Sequence, residues 1–183
     1  PYTTRFRSAV SPKNVVLLGN NVFDGNFSSG LSIQSLGAIQ VNNISANRNG
    51  VHGAFLKNKF TSSIQQSVAV TGSGSFNFNG SRGLLVESFG NIALANVTAT
   101  HNGHRGVSLD NTGGLLAKNI DMTGSNNFVS NALNGLFFNT DGSFTLTRVT
   151  ASYNGTSGAG RGIFGTAKGA ITITCGTLFM NKD

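Results

Sequence analysis

The chain has no tryptophan, one cysteine, two prolines and only six acidic residues among 183. Each scarcity excludes something. The single thiol, Cys175, permits neither an internal disulfide nor a cysteine-based metal site, so cysteine usage says little about compartment. No apolar run approaches the roughly 20 residues that a membrane-spanning helix needs, and no signal peptide opens the chain. Pro1 is what a processed or excised product would begin with. Charged residues make up 10% of the chain and glycines number 25, a balance foreign to an ordinary helical protein. Disorder is also excluded, because 38% of the residues are apolar and the 14 phenylalanines are regularly spaced. Thirteen Lys and Arg leave a net charge of +7, an electrostatic bias towards anionic partners.

What is present is repetition. The stretch NGSRGLLVE (79–87) places Asn-Gly four residues before a second glycine, which an apolar-x-apolar triplet follows. The same offset gives Asn26 before Gly30, Asn49 before Gly53, Asn79 before Gly83, Asn102 before Gly106 and Asn131 before Gly135. Only the sixth unit departs, with Asn154 eight residues before Gly162, as if four residues within GTSGAGR were inserted. The anchor glycines step by 23 (30 to 53), 30 (53 to 83), 23 (83 to 106) and 29 (106 to 135), so short and long units alternate.

Each unit offers two stretches of period-2 alternation, for example Ile39 and Val41 before the turn and Leu31 and Ile33 after it, which reads as strand. Short strands between Gly and Asn turns, in units of 23 to 30 residues, predict an all-β fold with no helix: a single-stranded parallel β-helix, or solenoid, of six to seven coils. Residues 1–13 lack the repeat and are expected to be a linker, a cap or the end of a preceding coil; residues 14–183 form the solenoid. Stacking would align Leu31, Ala54, Leu84, Val107, Leu136 and Ile163 in one inward row. The asparagines Asn26, Asn49, Asn79, Asn102 and Asn131 are expected to form an inward ladder, since an amide with donors and an acceptor can satisfy the turns above and below it.

GNIALANVTATHNGHRGVSLDNTGG and GSFTLTRVTASYNG resemble the right-handed parallel β-helix repeats of large secreted or surface proteins of environmental bacteria. The resemblance spans about residues 14–183 and implies the pectate-lyase-like superfold. That superfold hosts polysaccharide lyases and hydrolases, tailspikes, adhesins and structural proteins, so the function stays open.

Catalytic residues are expected to be absent. Glu87 and Asp110, each four residues after its anchor glycine, form the best acid pair, and one rung of separation would suit a retaining glycosidase or calcium. Lys57 would flank them, and a solvated surface cluster is the reading preferred here. Asn139-Thr140-Asp141-Gly142 resembles the first motif of polygalacturonases, but the rest of that set is missing. No GGxGxD calcium repeat or Walker phosphate loop occurs, and His52, His101 and His104 share their spacing with no other ligand type, so neither metal nor cofactor is expected. The five Asn-x-Ser/Thr sequons (Asn26, Asn43, Asn79, Asn96, Asn154) are expected by composition, and those on a buried ladder could not carry glycans.

Two surface rows stand out. Ser29, His52, Arg82, Arg105, Asn134 and Arg161 precede the anchor glycines and would stack into a basic stripe, either for an anion such as acidic polysaccharide or as a solubilising edge. The middle residues of the triplets, Ser32, Phe55, Leu85, Ser108, Phe137 and Phe164, would face outward as a contact row. The stripe lacks interleaved exposed aromatics of the single-strand-binding kind, which disfavours nucleic acid. The function expected is that of a non-enzymatic structural or assembly module, extracellular or at the cell surface. It would pack end to end with copies of itself or continue a longer solenoid; the alternative is a module that binds or cleaves polysaccharide.

Overall fold

The computed structural model describes residues 4–8 and 11–182. Parts of the 1–13 segment, and Asp183, lie outside the described residues. The chain is a parallel β-solenoid of about six turns, and no helix occurs among the described residues.

One sheet takes a strand from every coil, in chain order: Thr4–Ser8, Leu31–Ser35, Ala54–Lys57, Leu84–Glu87, Val107–Asp110, Leu136–Thr140 and Ile163–Ala167. All pairings are parallel. The expected inward row is found in register, Leu31 to Ala54 to Leu84 to Val107 to Leu136 to Ile163. The second sheet has ten strands and bends around a corner. Before the corner it stacks Ile39, Val68, Ile92, Ile120, Phe144 and Ile171.

Two kinds of left-handed residue turn each coil. Asn43, Gly72, Asn96, Gly124, Arg148 and Cys175 bend the second sheet, and all have positive φ. Asn and Gly tolerate this conformation most cheaply, which accounts for their frequency at the corner. The other set, Arg48, Phe78, His101, Ser130, Tyr153 and Met180, stands immediately before the ladder asparagines, also at positive φ.

The ladder is continuous and longer than its spacing in sequence suggests. The backbone N–H and the side-chain amide of Asn79 both donate to Asn102 Oδ1 at 3.0 Å. Asn49 donates in the same way to Asn79, Asn102 to Asn131, and Asn131 to Asn154. Asn154 therefore keeps its place although four extra residues follow it, because residues 156–159 are exposed outside the stack. Asn181 extends the ladder once more, accepting from Asn154. The anchor glycines are required by crowding: a Cβ at Gly83 would stand 2.7 Å from the carbonyl oxygens of both Gly106 and Phe76.

A second buried polar row runs along the opposite corner and went unread in the sequence. It consists of Ser35, Asn58, Ser88, Asn111 and Thr140, each no more than 2% exposed. In the short coils the hydroxyl accepts from a glycine N–H two residues on, as Ser88 does from Gly90 at 2.9 Å. In the long coils the amide closes the base of a loop: Asn58 donates to Gln66 O at 2.7 Å, and Asn111 to Lys118 O at 2.8 Å. The signal was available, since a polar residue stands five after each of the first five anchor glycines, on the inward phase of an alternating strand.

These loops explain why long units alternate with short ones. The side chain of Gln65, in the first loop, donates to Leu116 O at 2.7 Å and accepts from Leu116 N in the second. The two loops thus clasp over the short coil between them, where Gln65 also donates to Phe89 O. The core alternates in step. On the third face Ala46, Phe76, Ala99, Phe128 and Ala151 are all buried, with phenylalanine in long coils and alanine in short ones, so large and small side chains interdigitate.

Replacing Asn79 by Ala removes the acceptor for Asn49 and strands buried donors, so a loss of about 1 to 3 kcal/mol is expected. Among the described residues the side chain of Asn42 bonds only Thr71 Oγ1 and the neighbouring Asn43 amide, both part-buried, and its replacement by Ala should cost much less. Denaturant midpoints of the two variants check this, and equal losses would contradict a stabilising ladder.

Candidate functional site

The first sheet turns its outward side chains to one face, and the parallel register lines them up without further design. Ser32, Phe55, Leu85, Ser108, Phe137 and Phe164 form the expected outward row. The residues before the anchor glycines are also stacked, because Gly30, Gly53, Gly83, Gly106 and Gly135 each donate a backbone hydrogen bond to the preceding-residue carbonyl of the next coil: His52, Arg82, Arg105, Asn134 and Arg161.

Stripe and contact row are one surface rather than two. The Arg105 guanidinium lies 4.0 Å from the Phe137 ring centroid and that of Arg161 lies 4.5 Å from Phe164. His52 leans on Phe55 at 6.3 Å between centroids. Cations are attracted to the negative face of an aromatic ring, and this relieves the crowding of like charges on adjacent rungs. It also covers the apolar row, so Phe55, Leu85 and Phe137 are half-buried and only Phe164 is open, at 41%.

Sequence spacing places Glu87 and Asp110 together, and they are register partners on adjacent strands. Neither is a lone carboxylate. Lys57 pairs with Glu87 at 2.7 Å, and Lys59 with Asp110 at 2.7 Å. Lys59 comes from the loop that follows Lys57 and was not anticipated as a partner. Asp110 Oδ1 also accepts from the Thr112 backbone and hydroxyl, and the hydrogen bonds from Lys59 and Thr112 hold its carboxyl below the usual range in spite of burial, the largest single influence, which acts the other way. A carboxylate stabilised in its charged form is poorly suited to donate a proton.

Arg82, Arg105, Leu85, Ser108, Phe137, Glu87 and the Lys59-paired Asp110 line a shallow groove of about 170 Å³ at the middle of this face. Ser108 is 4% exposed, and its Oγ has no hydrogen-bond partner. The Nε atoms of Arg82 and Arg105 are likewise buried without partners. Burial lowers the Arg105 pKa from its ordinary value, with the nearby Arg82 charge adding to the effect.

The three histidines do not converge. His101 stacks on Phe78 at 4.8 Å, whereas His52 and His104 stand beside the arginines. His52 Nδ1 accepts from the Arg82 backbone N–H at 3.4 Å, which assigns it the tautomer protonated at Nε2. No group of three His, Cys, Asp or Glu side chains placed to hold a metal ion is found among the described residues. Of the sequons, Asn79 and Asn154 are buried in the ladder.

No family model matches the chain, and neither a curated protein nor a solved structure does.

Burial first, then the Arg82 charge, lowers the pKa of both His52 and His104 from 6.5. The unfolded chain therefore takes up these protons at a higher pH than the folded one, and stability falls as pH drops below about 6.5. The denaturant midpoint should decline between pH 7.5 and pH 5.5, and a His52→Asn, His104→Asn double variant should flatten that decline. An unchanged slope in the double variant would assign the acid sensitivity to other groups.

Proposed function

We propose that the chain is a non-enzymatic structural module, a subunit of an extracellular or cell-surface filament, sheath or adhesin whose coils continue end to end into another copy or into the rest of a longer solenoid. One observation carries this reading. In the coil that closes the described stack, Ile171, Ile173, Leu178 and Phe179 continue the strand of Phe144–Ser152 in register, yet they are between 42% and 52% exposed. Their counterparts Phe144, Leu146 and Ala151, one coil down, are fully buried. A further coil, of the same chain or of another copy, covers such a surface while also pairing its strand edge.

Between copies, head-to-tail contacts of this kind do not close on themselves and generate filaments. The resemblance of the repeats to those of secreted bacterial β-helix proteins, of the right-handed pectate-lyase-like type, supports placing the module outside the cell. The lysine partners of Glu87 and Asp110 favour assembly over cleavage of polysaccharide.

Ile173→Lys puts a charge on the open rung and should shorten particles seen by negative-stain microscopy, with a matching fall in light scattering as concentration rises. A parent chain that stays monomeric at high concentration would overturn the assembly reading.

A further inference from the structure

We infer that the groove on the first sheet binds one acidic sugar residue of a polysaccharide, its anionic group on Arg82 and Arg105 and its hydroxyls towards Glu87. The inference is independent of end-to-end assembly, because the groove lies at mid-stack and is complete within one chain. It starts from Ser108. In a row that otherwise carries Phe55, Leu85, Phe137 and Phe164, the serine leaves a gap one side chain deep, and its buried Oγ points into that gap without a partner. A buried hydroxyl left unpaired is costly, and a ligand oxygen would satisfy it.

The walls select the ligand. Arginine presents its N–H donors in a fork that matches a carboxylate or sulfate, and with Arg105 already held against Phe137 little freedom is lost on binding. Leu85, and the part of the Phe137 ring that Arg105 leaves uncovered, offer apolar surface for the C–H face of a pyranose ring. Across the groove, Glu87 spends Oε2 on Lys57 and retains Oε1 as an acceptor for sugar hydroxyls. A simple polyanion would gain nothing from that carboxylate. The volume of about 170 Å³ suits a single sugar residue, with neighbouring residues of the polymer running over the flanking coils.

The test is isothermal titration of the folded chain with uronate oligosaccharides of defined length, with neutral dextran and dextran sulfate as controls. Binding is expected for the uronate and not for neutral dextran. Ser108→Leu leaves every charge in place and gives the row the side chain that Leu85 already carries, so it should fold while filling the groove and weakening uronate binding about tenfold or more. Glu87→Ala separates the alternatives. It removes the side-chain acceptor and raises the net positive charge, so attraction of a polyanion to the stripe would tighten, as dextran sulfate should show, whereas a groove that uses Glu87 as a hydroxyl acceptor loses uronate affinity. Uronate affinity that is unchanged or increased in Glu87→Ala, or no uronate binding by the parent chain, overturns the inference, and this variant decides the matter even if Ser108→Leu fails to fold.

Discussion

The structure depends on satisfying the backbone of a turn that faces inward. In every coil the chain must leave the second sheet and enter the first through a corner closed to water, where an unpaired N–H would cost more than a single hydrogen bond returns. The asparagine amide solves this once and then repeats, since each Oδ1 takes both the backbone N–H and the side-chain N–H of the asparagine one coil before it. The left-handed residue that precedes it aims the side chain inward, and the anchor glycine makes room for the next coil. Apolar rows can then stack at the spacing of hydrogen-bonded strands, each fully buried aliphatic or aromatic side chain contributing about 1.5 to 3 kcal/mol.

Alternation of long and short coils is a packing device at two levels. Outside, the loops of two long coils reach each other through Gln65 and Leu116 and lock the short coil between them. Inside, Phe76 and Phe128 fill the space that Ala46, Ala99 and Ala151 leave. The same alternation sets hydroxyls against amides along the second polar row, where Asn58 and Asn111 donate across the bases of the long-coil loops. The structural repeat is thus a pair of coils, and the loop of one long coil touches that of the next across the short coil between them.

A stack this regular also creates function by repetition. Residues that share an offset share a line on the surface, so a basic residue recurring before the anchor glycine becomes a stripe, and aromatic residues two positions after it become the surface on which the stripe lies. Cation–aromatic contact reconciles like charges on neighbouring rungs. The interruption at Ser108 matters for the same reason, because one small residue in a periodic row opens a groove flanked by guanidinium on one side and carboxylate on the other.

The sequence by itself determined the fold, the register and the inward ladder. A constant offset from Asn79 to Gly83 and its counterparts leaves only one way to stack the units, and a one-residue slip would turn every apolar side chain outward. It also located the partners Glu87 and Asp110, whose shared offset makes them neighbours. Three things were decided by tertiary structure. The offset of eight at Asn154 hid a ladder residue, because an insertion that bulges outward changes the count along the chain but not the stack. Lys59 reaches Asp110 from a loop, where no periodicity operates. The covering of Phe137 by Arg105 depends on side-chain direction across two coils, and offset specifies which rung and which row a residue occupies but not which way a long side chain lies.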